Sequence, residues 1–177
     1  MTPAGPFRPD LPRYCSALPL PQRAHLPGVT RVKAEDGPWA SCQALGLPPD
    51  RWREEVLYLF GADLYNHGFF WEAHEAWEAV WQAAGTRSAR GPFFKGLIQC
   101  AAALLHLRRD KASTFLRVSG RAIGYLSQIS DAFHMGLHLS GFIVQWQEFR
   151  VLDNPSLASF PLILLTDSPV LSPTENN

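Results

Sequence analysis

The residues best suited to chemistry lie between Leu57 and Trp81, in LYLFGADLYNHGFFWEAHEAWEAVW. Three glutamates, a histidine and three tryptophans fall within eleven positions there, a mixture that apolar packing alone does not require. At about 100° per residue, Trp71, His74, Trp77, Glu78 and Trp81 share one side of a helix. Glu75 sits on the same flank within reach of Glu78, and Glu72 points the other way. A carboxylate or imidazole beside indole rings is either hydrogen-bonded or energetically expensive. Glu78 and then Glu75 are therefore the expected members of a buried polar network.

Two chemistries fit. In one, Glu78 or Glu75 is a general base and His74 or His106 a proton carrier, with apolar surroundings raising a carboxylate toward neutrality. Lys95, Gln99 and Asn66 would then orient or charge-stabilise a bound group, and Glu72, Trp77 and Trp81 would complete its contacts. A small-molecule hydrolase, its metal held by His74, Glu78 and His106, is the concrete form of this reading. In the other, the same His/Glu/Gln network fixes helix register in a scaffold or protein-interaction domain. The sequence specifies no cofactor. It has no Gly-rich phosphate loop, HExxH pair or GxSxG elbow, and the repeated ExxH sets of a di-iron bundle are missing.

The elements that must position these residues are helical. After Pro48 and Pro49, Asp50 is a plausible N-cap for a first helix with an apolar stripe of Leu57, Phe60, Gly61 and Leu64. Gly61 suits close approach of another helix. Asn66, His67 and Gly68 end that helix, with Asn66 expected to act as a turn residue and to bond to the start of the next. The second helix runs from about Phe70 to Ala84. The third, opened by Pro92, continues to about Arg109 and carries Lys95, Gln99, Ala102 and His106 as a polar stripe. If it packs against the second helix, that stripe borders His74 and Glu78.

A fourth helix is expected from Lys111 to about Ser127, with Ala112, Phe115, Leu116, Ser119, Ile123 and Leu126 inward. A last helix ends near Leu152, with Phe142, Val144 or Gln145, Phe149 and Leu152 inward. His134 and His138 are four apart, a spacing that matters for a metal only on a continuous helix. Asn154-Pro155 ends the last helix, and LASFPLILL is apolar enough to pack back on the body.

Of the fifteen prolines, ten lie in residues 1–49, so this extension should be irregular, with Phe7, Tyr14, Leu18, Leu20, Leu26, Val29 and Trp39 available to lie on the body as a strap. The organisation expected is an extension over 1–49, a helical domain over 50–165 and a flexible tail over 166–177. The fold class is all-α, a compact array of about five helices.

Sixteen basic and sixteen acidic residues balance, which gives no global attraction to nucleic acid; Arg117 and Arg121 read as a solvated face. Cys15, Cys42 and Cys100 form no CxxC pair, and no run of about 20 apolar residues suggests a membrane span. A cytoplasmic protein, with a protein partner or a second copy as its binding partner, is the expectation.

The blocks LYNHGFFWEAHEAWEAVW, residues 64–81, and KGLIQCAAALLHLRR, residues 95–109, resemble the signature of the bacterial DUF309 family. The resemblance extends over residues 50–165. It implies a compact helical domain with Asn66, Gly68, Glu72, His74, Glu75, Trp77, Glu78, Trp81, Gly96, Gln99 and His106 at characteristic positions, and it implies no reaction. The leader keeps HLPG, residues 25–28, but lacks the PHP segment and later histidine that some relatives show.

Overall fold

In the computed structural model, residues 11–29, 39, 41–85 and 87–167 are described. Five α-helices follow a 3₁₀ segment at Pro49–Glu54: α1 (Val56–Asn66), α2 (Phe70–Ala83), α3 (Gly91–Arg108), α4 (Ala112–Leu126) and α5 (Leu139–Arg150). The described residues contain no strand, only isolated bridges at His134, Leu137 and Leu165. No helix among them is long and apolar enough to cross a membrane. Helices consecutive in sequence pack on one another, most extensively α3 on α4.

The first helix begins later than Asp50 would place it. Pro48 precedes a 3₁₀ turn without a side-chain cap, and the chain leaves helical geometry at Glu55 before α1 starts. The reason lies in the Glu55 carboxylate, which is buried and accepts the Leu45 and Leu47 amides at 3.2–3.3 Å. A continuous helix from Asp50 would turn that group elsewhere.

Gly61 lets α1 and α2 approach closely. A Cβ there would stand 2.2 Å from Trp77 Nε1, which donates to the Tyr58 carbonyl at 3.2 Å. Gly96 does the same for α3 and α4, a Cβ there meeting Leu126 at 2.4 Å. Around Trp77 the interior is aromatic: Tyr65 sits edge-on to Phe70 and Phe160 at 6.0 and 5.4 Å. Such contacts add to the area effect of burying large rings.

Two inward patterns differ from the periodicity expectation. On α5 the buried set is Leu139, Phe142, Trp146 and Phe149, whereas Val144, Gln145 and Leu152 are exposed. Trp146 captures the inward phase because burying its ring outweighs burying either smaller neighbour. On α4, Val118 and Ala122 are buried and Leu116 is exposed, a rotation that also brings the Arg150 guanidinium to the Leu116 carbonyl at 2.9 Å. His134 lies in the loop before α5 and His138 at its N-cap, so their spacing confers no shared helical face.

The proline-rich segment is a strap where it is described. Cys15 and Ala24 are buried, and Tyr14, Leu18, Leu20, Leu26 and Trp39 pack partly buried against the core. Val29 is exposed, and Phe7 lies outside the described residues, as does the chain beyond Asp167.

Candidate functional site

Helix α2 carries two polar groupings on different sides. On one, His74 Nε2 stands 3.5 Å from Glu78 Oε2 and 4.0 Å from Glu75 Oε1. The three side chains are 25, 37 and 26 % exposed for His74, Glu78 and Glu75, so this grouping is half-buried rather than sealed. The Trp71 ring lies parallel to the His74 imidazole at 5.7 Å, and the His25 ring meets Trp71 edge-on at 5.2 Å. Partial burial raises the Glu75 carboxyl above its ordinary range, with His74 opposing and Glu78 reinforcing the shift.

The expectation that Glu78 and Glu75 are the buried acids is thus corrected. Glu72 is the sequestered one, 3 % exposed, and its Oε1 accepts the His25 amide at 2.6 Å. Periodicity assigned Glu72 to the opposite face correctly, but the strap covers that face and makes it interior. Burial pushes the Glu72 carboxyl up, and the His25 amide, its own helix-start amide and the Arg108 charge draw it down. Arg108, whose guanidinium stacks 4.6 Å over the Phe70 ring, is lowered by burial to about 10, with Glu72 opposing.

The same use of buried polar side chains recurs on α1. Asp63, 0 % exposed, accepts from Arg13 Nε at 3.0 Å, the Tyr14 amide at 2.7 Å and the Cys15 amide at 2.9 Å. Asn66 does not bond to the start of α2. Its side chain instead pairs in both directions with Ile163, accepting that residue's amide at 2.9 Å and donating to its carbonyl at 2.8 Å. A primary amide matches a peptide group donor for acceptor, so Asn66 replaces one rung of backbone pairing for the C-terminal segment. Tyr14 ties the two extended segments together, its hydroxyl accepting the Leu165 amide at 2.9 Å. Tyr65 adds a bond to the Pro161 carbonyl, also at 2.9 Å.

His67 closes α1 and is buried with neither ring nitrogen hydrogen-bonded among the described residues. Burial and the nearby Arg13 charge hold its pKa below the ordinary value, with Asp63 opposing. The remaining candidates are dispersed. Trp77 is wholly buried in the core. Lys95 Nζ lies over the Trp81 and Tyr125 rings at 5.3 and 5.5 Å. Gln99 and His106 are half-buried on α3 and make no side-chain hydrogen bond to the His74 grouping among the described residues. The His106 imidazole is lowered by burial and by Arg109 and Arg117, a basic setting rather than an acidic one.

Asp63, Glu55, Arg13, His67 and Arg108 were not among the sequence candidates. One signal existed for Asp63: it is the one charged side chain in the otherwise apolar and aromatic run LYLFGADLY, residues 57–65. A charge in such a run requires internal partners. Nothing in the sequence named those partners, because they are backbone amides of an irregular segment about fifty residues away.

Five packed helices, with extended segments from both ends pinned to them by buried side chains, define an all-α domain stitched together by polar clamps. The DUF309 family model, described as a domain of unknown function, matches residues 58–118. No curated protein and no solved structure matches the chain.

Proposed function

We propose that the chain is a helical scaffold of the protein-interaction class. The observation that carries this reading is the use to which its buried polar side chains are put. Glu55, Asp63, Asn66 and Glu72 each hold backbone of the chain's own extended segments, so the fully buried acids are engaged in architecture. Residues 50–165 are, in this reading, the interaction unit, and the segment before them is its strap.

Surface composition supports the interaction half. Leu152 and Leu164 are about half exposed and, with Phe149, Phe160 and Leu162, line an open groove between α5 and the segment after it; Gln145 and Glu148 supply its polar lining. The two half-exposed leucines lie on one groove rather than on separate faces.

The test is to purify the full chain gently and measure assembly mass by light scattering. The reading expects a complex of fixed stoichiometry, with a second copy or another protein, that Leu152→Asp weakens without lowering the melting temperature. A strictly monomeric chain that shows a turnover, lost in Glu78→Gln at unchanged stability, would replace the scaffold with the hydrolase alternative.

A further inference from the structure

His74, Glu75 and Glu78 turn one imidazole nitrogen and two carboxylate oxygens toward a common point, all three ligand atoms lying within 4.8 Å of one another. Zinc bonds to nitrogen and oxygen of about 2.1 Å place two donors of a tetrahedral ion about 3.4 Å apart. The His74 to Glu78 separation of 3.5 Å already has that length. The His74 to Glu75 separation of 4.0 Å closes with a small rotation of a half-exposed glutamate, well inside one rotamer well.

The surroundings favour the same conclusion. All three ligands project from one helix, α2, so the backbone holds their spacing. The parallel Trp71 ring stacks on the imidazole and limits its rotation. Among the described residues, neither Glu75 nor Glu78 has a lysine or arginine at ion-pair distance. Besides His74, Glu78 has among the described residues a long contact of 3.5 Å from Gln82 Nε2, and Glu75 accepts no hydrogen bond there. Among the described residues, these two adjacent carboxylates thus have His74 as their one nearby basic group. A divalent ion offsets that repulsion more fully than an imidazole can.

We propose that His74, Glu75 and Glu78 form a three-ligand site for a divalent transition-metal ion of the zinc or cobalt class, with solvent completing the coordination. An imidazole with two carboxylates suits such ions, whereas magnesium and calcium favour all-oxygen sets. The site is distinct from the His74, Glu78 and His106 set considered from sequence, since His106 is not part of the grouping. It also goes beyond the scaffold reading, adding a ligand to the domain whatever its partner.

The experiment titrates chelator-treated full-length protein with Co²⁺ and follows the visible ligand-field bands, then displaces the ion with Zn²⁺. Wild type should bind one ion per chain. His74→Gln should weaken binding by more than about 100-fold and Glu75→Gln or Glu78→Gln each by at least about tenfold, while His106→Gln leaves it unchanged. Circular dichroism checks that each variant keeps its helices; the two glutamine substitutions at Glu75 and Glu78 carry the test if His74→Gln unfolds. Absence of a saturable Co²⁺ site in wild type, undiminished binding in every folded variant of the three ligands, or loss of binding in folded His106→Gln would overturn the assignment.

Discussion

Replacing Asp63 with alanine removes the acceptor that holds the strap. Three donors lose their partner: Arg13 Nε at 3.0 Å, the Tyr14 amide at 2.7 Å and the Cys15 amide at 2.9 Å. Breaking one side of a buried ion pair costs about 3–5 kcal/mol. Arg13 is a quarter exposed and regains water, which moves the expectation to the lower end of that range. The strap can also lift away, so its own docking free energy caps the loss. A destabilisation of about 3 kcal/mol follows, and with it a fall of about 6–12 °C in Tm for a chain of this length. Urea and thermal unfolding followed by circular dichroism measure both. Arg13→Ala should cost less in the Asp63→Ala background than in wild type, because the pair is already broken. A loss under about 0.5 kcal/mol, the range of ordinary surface changes, would refute the clamp.

Gly61→Ala gains intrinsic helix propensity, but its methyl would sit 2.2 Å from Trp77 Nε1, so a net loss of about 1–3 kcal/mol and altered Trp fluorescence are expected. Asn66→Ala leaves the Ile163 amide and carbonyl unpaired; a loss of about 2–4 kcal/mol should appear in urea unfolding, with faster exchange at the Ile163 amide. For His67, the pKa in the folded state lies below that of the unfolded state, so the unfolded chain takes up the proton first as pH falls. Its contribution is therefore fully present above the unfolded value near 6.5 and is lost progressively as pH drops toward the folded value. His67→Phe should flatten the stability slope below that pH by at most about 1.4 kcal/mol per unit, with His106 and His134, also lowered by burial, adding slope of the same sign and the raised Glu72 and Glu75 carboxyls opposing it.

Helix number, the spans of α2, α3 and α4 to within a residue or two, and the close approach at Gly61 were legible because they follow from local rules: proline and glycine punctuation, apolar periodicity and a missing Cβ. The phase of α5 was harder, since Phe142 and Phe149 fit two stripes and only the size of Trp146 decides between them. The geometry of the α2 grouping was legible only in part. Helical spacing brings His74 and Glu78 together, as four-residue neighbours must be, yet it cannot say which side of α2 faces solvent. That depends on where residues 13–25 lie, and a proline-rich strap has no period from which to read its docking. Glu72 and Asp63 accordingly changed from peripheral residues to buried clamps once the strap was in place.

The central claim is that the buried acids and Asn66 serve architecture by holding backbone, and hydrogen exchange at the amides they accept tests it most directly. The Tyr14, Cys15, His25 and Ile163 amides should be protected far beyond the rates of an open irregular segment, with Tyr14 and Cys15 losing protection in Asp63→Ala and His25 in Glu72→Ala. Exchange at unprotected rates in the wild-type chain would mean that the strap is not docked and that Asp63 and Glu72 are available for another role.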